Sequence, residues 1–531
     1  MGRDMRTTEG LDEILRYHQE TKHRLDAYAR GPGRLDWTNE PNPFRCYQGS
    51  PLIRLDRAGL EGEYKAPAAP LSLHSISQLF YQSLALSAWK RSGASTWSLR
   101  VNPSSGDLHP TESYLISGPV KELCNRPSIF HYTPQEHALE LRARLPPGLW
   151  ESMDLPEGSL LLALSSIYWR ESWKYGERAF RYCALDAGHA SAAISIAAAC
   201  LGWQGYLQDD LGTGDLARLI GVAGERGEEA EQPDCLMAIY TDGKMHDFAI
   251  SGDTLSGLDL SLLGKPNALS PEHVSWPIID VASMASTKPQ TEGYGQYGQR
   301  QKNAGISPEL CHVIRSRRSA QAMDGMTYME IEAFRSILRL ALPGRLPFNT
   351  LPWKPLVNLV LFIHRIRGLK KGLYLFLRDD EAESRERLKE AVSSRFSWSR
   401  PEGWDKEAKD LELYLLEEGD ARGAARGTSC DQDIASDGCL CLTMLAEFEK
   451  PLRDLGPWFY PRLHWECGMI GQAMYLGAEV LGLRGCGIGC FLDDEVHRLL
   501  GLEGFQYQDL YHFTLGKALE DKRITTIPAY T

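Results

Sequence analysis

The chain has 531 residues, of which 43% are hydrophobic and 24% are charged, values typical of a globular protein with room for two large domains. The net charge of −12 argues against a general nucleic-acid binder. No apolar run approaches the roughly 20 residues that span a bilayer, and residues 1–20 are too polar for a secretory signal, so we expect a cytoplasmic protein without a membrane partner.

An N-terminal extension is predicted over residues 1–70. Residues 11–30 are charged and have a helical pattern, and the Gly-Pro-Gly sequence at 31–33 would end that helix. The proline-rich stretch that follows favours extended chain over an independent fold.

The first domain is predicted over residues 71–260. Its elements, in chain order, are a helix over 72–89, strands over 113–116 and 160–167, a helix of small residues over 186–201, and a closing strand over 236–240. Residues 169–175, directly after the second of these strands, are predicted to form a loop.

Residues 261–304 are rich in Pro, Ser and Gly, which predicts a linker. The second domain, over 305–531, repeats the order of the first, with helices over 328–340 and 468–481, strands over 357–364 and 372–377, and a last strand ending at Lys517. Because helices and strands mix without regular β-α-β alternation, we expect an α+β fold.

Two parts of the chain repeat each other at a constant, long spacing. Gly188, Gly202, Gly205, Arg218 and Gly221 correspond in order to Gly468, Gly482, Gly485, Arg498 and Gly501. A period this long indicates two copies of a whole domain. In both copies we expect a helix, a glycine-rich turn and a second short helix. The turn at 485–490 keeps three glycines, whereas 205–210 carries larger side chains, so only the second copy would let a ligand approach its backbone.

The twelve cysteines are scattered without the C-x-x-C pairs of zinc or redox motifs, so we expect reduced, buried cysteines. His109, His189 and His464 lack the spacing of metal ligands, and no metal is expected.

Basic residues near both ends of the second domain form one candidate site. The segment 315–319 carries three arginines and two serines, which suit phosphate oxygens; the alternative is a solvated charged patch. Lys517, Lys522 and Arg523 could meet the same anion if the last strand closes beside the first helix.

Three further segments could carry chemistry. The polar turn at 102–110 could present donors to a polar ligand or be an ordinary loop. A buried lysine beside a tyrosine, as at Lys174 and Tyr175, could move protons near neutral pH, although such pairs are usually structural. The glycines at 485–490 could offer backbone N–H groups to a flat heteroaromatic ring, but they match neither a Rossmann fingerprint nor a P-loop.

Together these motifs resemble the FMN-dependent nitroreductase superfamily, and within it the azoline dehydrogenases, the SagB-type thiazole- and oxazole-forming oxidases. The resemblance covers nearly the whole chain and is carried by the order of the motifs. It implies two fused nitroreductase-like domains in an intramolecular pseudo-dimer, each with a central, mostly antiparallel sheet flanked by helices.

The resemblance also implies roles for individual residues. Lys174 and Tyr175 would be catalytic. The residues implied to bind FMN are Arg317, Arg318, Ser319, Pro103, Ser104, Ser105, Gly106, Asp107, His109, Ile488, Gly489, Cys490, Lys522 and Arg523.

One FMN per chain is expected from this resemblance. The site that combines residues 317–319 and Gly489 of the second copy with the serine turn of the first is complete in sequence. Its mirror site lacks an Arg-Arg-Ser before residue 72 and has Leu207 and Asp209 where glycines are needed.

The implied function is an FMN-dependent oxidoreductase in which a substrate carbon loses a proton to Lys174 or Tyr175 and passes a hydride to the flavin. The substrate would be a small molecule or a modified peptide such as an azoline, with biosynthetic proteins as candidate partners. Two alternatives stay open: an NAD(P)H-dependent nitro- or quinone reductase, and a non-catalytic flavin-binding or scaffold subunit of a peptide-modifying complex.

Overall fold

The structure is a computed structural model that describes residues 5–57, 67–244, 246, 250–291, 308–379 and 381–530. These residues divide into two compact units. The first-half unit takes its residues from 30–315, 349–353 and 524–531, and the second-half unit takes its residues from 1–29, 316–348 and 354–523. The predicted linker lies partly outside the described residues, and its described part belongs to the first-half unit.

The elements of the described residues are numbered along the chain. The helices are α1 (Met5–Glu20), α2 (Leu73–Ser83), α3 (Leu149–Ser152), α4 (Tyr168–Tyr175), α5 (Ala179–Cys200), α6 (Thr213–Ile220), α7 (Gly252–Leu255), α8 (Pro277–Ala285), α9 (Pro308–Val313), α10 (Ile331–Leu340), α11 (Ala382–Ala391), α12 (Trp404–Glu407), α13 (Arg422–Thr428), α14 (Asp433–Asp437), α15 (Glu449–Asp454), α16 (Tyr460–Val480) and α17 (Asp493–Leu500). The strands are β1 (Tyr47–Gln48), β2 (Leu52–Arg54), β3 (Leu86–Ser92), β4 (Ser95–Arg100), β5 (Thr111–Ser117), β6 (Ser128–Thr133), β7 (Ala138–Arg144), β8 (Ser159–Ile167), β9 (Gln204–Gln208), β10 (Glu231–Tyr240), β11 (Lys265–Pro266), β12 (Met329–Glu330), β13 (Val357–Ile363), β14 (Ile366–Arg367), β15 (Gly372–Leu377), β16 (Glu412–Glu418), β17 (Leu440–Glu447), β18 (Arg484–Ile488), β19 (Tyr507–Gly516) and β20 (Thr525–Ile527).

Each unit is built on one large sheet, and the two sheets share the same strand order. The first-half sheet runs β2-β7-β6-β5-β8-β10-β9, and the second-half sheet runs β16-β15-β13-β17-β19-β18. Without the edge strand β2, the six positions correspond one to one. Neighbouring strands are antiparallel throughout both sheets. The predicted α+β class, with antiparallel sheets flanked by helices, is confirmed.

The repeat seen in the sequence is carried by a helix, an edge strand and a second helix in each unit. The same interval that separates the paired glycines separates the equivalent elements. It separates the ends of α5 and α16, the starts of β9 and β18, and the starts of α6 and α17. Gly221 and Gly501 end the second helix of each copy with φ of 76° and 75°, a left-handed conformation that glycine adopts without strain.

Three local expectations are wrong. The helix expected over 72–89 ends at Ser83, and β3 begins at Leu86. Residues 169–175 lie in helix α4 instead of a loop. The glycine-rich segments form strands β9 and β18 instead of turns, because β10 and β19 supply the ladder of backbone hydrogen bonds that local glycine content does not reveal.

The long helices α5 and α16 are core helices, which explains their small and apolar residues. Every residue of α5 is buried. Among the described helices, the stretch 168–200 has the length and composition to cross a membrane, and its most apolar window is wholly buried inside the protein. A helix that is apolar all round is accounted for by burial in a core.

The start of the chain packs on the second-half unit. His18 on α1 is fully buried, with Nε2 3.0 Å from Gln508 Oε1 and Nδ1 3.2 Å from the Tyr460 hydroxyl. Lys22 forms an ion pair of 2.8 Å with Asp494 of α17. These contacts attach residues 5–29 to that unit, and α1 ends at Glu20, well before the predicted end.

Two cysteines of the first-half unit are paired. Cys200, at the end of α5, forms a disulfide with Cys311 of α9. The expectation of reduced cysteines is wrong for this pair, whereas the other ten cysteines are thiols. Because the two cysteines are 111 residues apart, no local sequence motif predicts that they pair.

Candidate functional site

The predicted polar turn lies between β4 and β5 in the first-half unit and is held by Asp186 of α5. Ser105 donates both its backbone N–H and its hydroxyl to the Asp186 carboxylate, at 3.2 Å each. The Ser104 hydroxyl accepts a hydrogen bond of 2.8 Å from the His109 N–H. The turn, which begins after Pro103, is therefore fixed at both of its serines.

Backbone strain marks the centre of this turn. Gly106, Asp107 and His109 have φ of 62°, 58° and 52°, in the left-handed region. For the two residues that are not glycine, such a conformation costs on the order of 1 kcal/mol or more and persists only where the surroundings impose it. A Cβ at Gly106 would lie 2.8 Å from Lys174 Nζ and 2.6 Å from the Tyr175 hydroxyl. The structure thus brings the predicted catalytic pair against the predicted flavin-binding turn.

Lys174 and Tyr175 project from the last turn of α4, which follows the buried strand β8 directly. Both side chains are half-buried. Lys174 Nζ lies 5.3 Å from the centre of the Tyr175 ring, and that ring meets Tyr182 edge-on at 4.7 Å between centroids. A lysine held over an aromatic face in this way has a defined position.

Buried carboxyl groups surround the pair. Burial raises the pKa of Asp186 to about 7, although hydrogen bonds from Ser104 and Ser105 act in the opposite direction. Burial and the neighbouring Asp186 charge raise the pKa of Glu171 well above its ordinary value. Burial and Glu171 likewise raise the pKa of Tyr175. This cluster can hold and exchange a proton near neutral pH.

The sequence-based assignment gave no role to Asp186 or to Glu171. Asp186 is the single acidic residue among the 22 residues of α5, and Glu171 is a fully buried acid on α4. An acid inside an otherwise apolar helix is rarely buried without a function or a partner, and that signal could have found Asp186.

In the second-half unit, Tyr475 of α16 joins the arginine–serine segment to strand β18. Its hydroxyl lies 2.9 Å from Ser319 Oγ and accepts a hydrogen bond of 2.9 Å from the Gly487 N–H. Arg317 is only 3% exposed, its guanidinium carbon is 5.0 Å from the centre of the Tyr475 ring, and its Nη1 is 3.4 Å from Ser319 Oγ. A buried guanidinium beside a hydroxyl is a donor set that suits a phosphate group.

The other arginines of this segment have different surroundings. The Arg318 backbone N–H donates to Glu479 at 2.9 Å, and its side chain donates to the Arg317 carbonyl at 2.6 Å. Arg315 belongs to the first-half unit, where it donates to the carbonyls of Tyr81 and Leu86 at 2.7 and 2.9 Å. Of the three arginines, Arg317 therefore has the surroundings that best suit the binding of an anion.

The basic residues at the C-terminal end of the second-half unit have separate contacts. Arg523 pairs with Asp521 at 2.6 Å, and its side chain is 85% exposed. Lys522 is exposed, and Lys517 donates to the Gly482 carbonyl at 3.3 Å. Their role in phosphate binding stays a prediction from the resemblance.

The glycines of β18 make room for aromatic rings. A Cβ at Gly485 would lie 2.6 Å from Phe513, and a Cβ at Gly487 would overlap the Tyr511 hydroxyl. Both rings belong to β19, the neighbouring strand, so the expectation that these two glycines leave open backbone on that side is wrong. Ile488 ends the strand as a buried residue, and Gly489 and Cys490 follow it.

In the first-half unit, the positions that correspond to Gly487 and Gly489 carry buried side chains. Leu207 and Asp209, which are the counterparts of Gly487 and Gly489 in the repeat, are 1% and 5% exposed. Leu207 pairs with Met237 in the register of β9 and β10.

Comparison with known proteins identifies the fold. Residues 373–517 match the model of the nitroreductase family. An inferred nitroreductase of Methanocaldococcus jannaschii is 22% identical over 141 residues, which make up 25% of this chain and 67% of that protein. Among solved structures, an inferred nitroreductase of Anabaena variabilis aligns over 96% of this chain and 99% of its own, with 18% identity and a TM-score of 0.69.

One further solved structure is the E. coli microcin synthetase McbBCD complex with truncated pro-MccB17 bound. It aligns over 38% of this chain and 70% of its own, with 16% identity and a TM-score of 0.28. The chain therefore has a nitroreductase-like α+β fold, and its residues 373–517 carry the sequence pattern of the nitroreductase family.

Proposed function

We propose that the protein is an FMN-dependent oxidoreductase that removes a hydride from an organic substrate. The observation that carries the proposal is the contact of Lys174 and Tyr175 with Gly106. Groups able to transfer protons thus lie against the turn that the resemblance assigns to flavin binding. The nitroreductase family match of residues 373–517 supports the same class of chemistry.

The donors of the second-half unit fit the phosphate of FMN. Arg317 would bind it through its buried guanidinium, and Ser319 would add a hydroxyl held in place by Tyr475. When bound, FMN supplies the acceptor for a hydride. That these residues and the serine turn serve one FMN per chain stays a prediction.

The acid–base groups of the first-half unit divide the proton chemistry between them. Because the pKa of Tyr175 is raised, its phenol stays protonated at neutral pH and acts as a donor. We assign Lys174, as the neutral amine, as the group that accepts the substrate proton. Asp186 orients the turn through Ser105 and, with a pKa of about 7, can hold a proton beside it.

The substrate class follows from the resemblance. We extend the proposal to an azoline ring in a modified peptide, whose oxidation to an azole requires loss of a proton and a hydride from adjacent ring atoms. A peptide substrate implies partner proteins that make the azoline.

The visible spectrum of the purified protein and its flavin content after denaturation test the proposal. We expect a yellow protein with about one FMN per chain, and an Arg317→Ala variant that loses most of its flavin. Arg498→Ala is the matched control, because Arg498 is a 65% exposed surface arginine paired with Glu495. A wild-type protein that stays colourless after addition of FMN would favour the scaffold alternative.

Anaerobic reduction separates the oxidase from the reductase. We expect an azoline-containing peptide to bleach the bound flavin and NADPH alone to leave it oxidised. Rapid bleaching by NADPH would support the nitro- or quinone-reductase alternative.

A further inference from the structure

Two thiols of the second-half unit lie in direct contact near the end of β18. Cys430 Sγ and Cys490 Sγ are 2.9 Å apart, which is about 0.9 Å longer than a disulfide bond. Both cysteines are half-buried thiols. The contact joins residues 60 positions apart in sequence, so it depends on the fold and on no local motif.

The backbone around each thiol is fixed. Gln432 donates its side-chain amide to the Cys490 carbonyl at 2.9 Å, and the Leu492 N–H donates to the Thr428 carbonyl at 2.8 Å. These bonds tie the segment after α13 to the segment after β18. The two sulfur atoms are therefore held together by their neighbours.

Ser429, the residue before Cys430, is anchored by a series of buried, hydrogen-bonded side chains. Ser429 Oγ lies 2.9 Å from His512 Nδ1, and His512 Nε2 lies 2.5 Å from Asp509 Oδ2. All three side chains are buried. Because these groups are inaccessible, they act as an anchor for the backbone at Cys430.

The backbone at Cys430 is strained. Cys430 and Asp431 have φ of 53° and 55°, two consecutive residues in a region that favours glycine. Strain of this kind concentrates where a side chain must be presented in a particular direction. Here it presents the Cys430 thiol to Cys490.

Tyr28 contacts the pair. Its hydroxyl is hydrogen-bonded with the Cys430 side chain, and this contact, together with burial, raises the pKa of Tyr28 to about 12. The tyrosine therefore remains a hydrogen-bond donor to sulfur at neutral pH. Such a donor stabilises a thiolate, the reactive form of cysteine.

We propose that Cys430 and Cys490 form a reversible thiol–disulfide site that reacts with low-molecular-weight disulfides. One thiolate attacks a sulfur of the small disulfide, forms a mixed disulfide and releases one small thiol. The second cysteine then attacks the protein sulfur of the mixed disulfide, forms the Cys430–Cys490 bond and releases the second small thiol. The two protons lost by the cysteines end on the two released thiols, and the small disulfide is the oxidant.

The exchange does not use the proposed oxidoreductase chemistry, although Cys490 is also one of the residues that the resemblance implies for FMN binding. The cysteines are in one unit, and no flavin takes part in the exchange. The counterpart of Cys490 in the first copy is Asp210, so that copy does not have the pair.

Peptide mapping by mass spectrometry tests the inference on the full chain. The protein is incubated with glutathione disulfide, the remaining thiols are blocked with N-ethylmaleimide, and the digest is analysed without reduction. We expect a linked Cys430–Cys490 peptide, the loss of two reactive thiols, and full reversal by excess reduced glutathione. The Cys200–Cys311 disulfide provides a reference linked peptide in the same digest.

Variants distinguish exchange at this pair from general oxidation. Cys490→Ser, which keeps the thiol that is hydrogen-bonded to Tyr28, is expected to stop at a glutathione mixed disulfide on Cys430. Cys46→Ser is the matched control, because Cys46 is another half-buried thiol and its loss should leave the linked peptide unchanged. Absence of the linked peptide from the wild type under a large excess of glutathione disulfide would overturn the inference, and this result needs no variant to fold.

Discussion

The two copies place a carboxylic acid at equivalent positions of the repeat, in opposite electrostatic settings. Asp186 on α5 accepts hydrogen bonds from Ser105, and burial raises its pKa to about 7. Glu466 on α16 accepts hydrogen bonds from the Leu356 N–H at 3.1 Å and forms an ion pair with Arg378 in which both side chains are fully buried.

The two acids do the same structural work. Each fixes the chain before an equivalent central strand, β5 in one unit and β13 in the other. The difference is the counter-charge. Arg378 supplies a full counter-charge to Glu466, whereas burial raises the pKa of Asp186 to about 7. The same helix position thus carries an ion-paired acid in one copy and an acid whose pKa is raised by burial in the other.

The largest expected effect comes from removing each acid in turn. Glu466→Gln leaves Arg378 buried without its counter-charge, so we expect the free energy of unfolding to fall by about 3–5 kcal/mol. Asp186→Asn keeps a hydrogen-bond acceptor and removes a group whose charge is disfavoured, so the loss should stay below about 1 kcal/mol. Urea unfolding at pH 7 measures both, and equal losses would remove the distinction between the two acids.

The next expected effect concerns activity. If Lys174 accepts the substrate proton, Lys174→Ala should lower kcat about 100-fold, in the range of general acid–base catalysis, while bound flavin is retained. Lys265→Ala is the control, because Lys265 is an exposed lysine of the same unit. Unchanged turnover in Lys174→Ala would exclude this residue from the reaction.

The sequence predicted more of the fold than of the candidate site. The long repeat and the apolar strands predicted the α+β class, because a duplicated domain shows as repeated residues and a buried strand shows as a run of apolar residues. Positions 485 and 487 require glycine because the rings of Phe513 and Tyr511, on the neighbouring strand, occupy the space of a Cβ. Only tertiary packing reveals this requirement. The role of Asp186 likewise depends on its hydrogen bonds with Ser105, 81 positions away, which only tertiary packing reveals.

A smaller effect is expected from adding one methyl group at equivalent positions. Gly485→Ala would place a Cβ 2.6 Å from the buried Phe513 ring, whereas Gly205→Ala would meet Ile239 at 3.4 Å. We expect Gly485→Ala to lower the free energy of unfolding by about 1–3 kcal/mol, the usual cost of overpacking, and Gly205→Ala to have less than half that effect. A comparable loss in both variants would show that the two edge strands are packed alike.

The last expected effect is a pH dependence that comes from Asp186. Because the pKa of Asp186 is raised from 3.8 to about 7 on folding, the folded protein binds more protons than the unfolded chain between these values. The free energy of unfolding should therefore fall as pH rises from about 4 to 7. Because one unit of pKa corresponds to about 1.4 kcal/mol, a pKa raised by about three units implies a total fall of up to about 4 kcal/mol, at most about 1.4 kcal/mol per unit of pH.

Asp186→Asn isolates this contribution from that of Glu171, whose pKa is raised as well and which titrates in both proteins. The difference in unfolding free energy between wild type and variant, measured by urea unfolding at half-unit steps of pH, should change in favour of the variant as pH rises. Parallel curves would mean that Asp186 is ionised in the folded state across this range. It would then be a fixed anchor for Ser105, as Glu466 is for Leu356, and the two copies would no longer differ at this position.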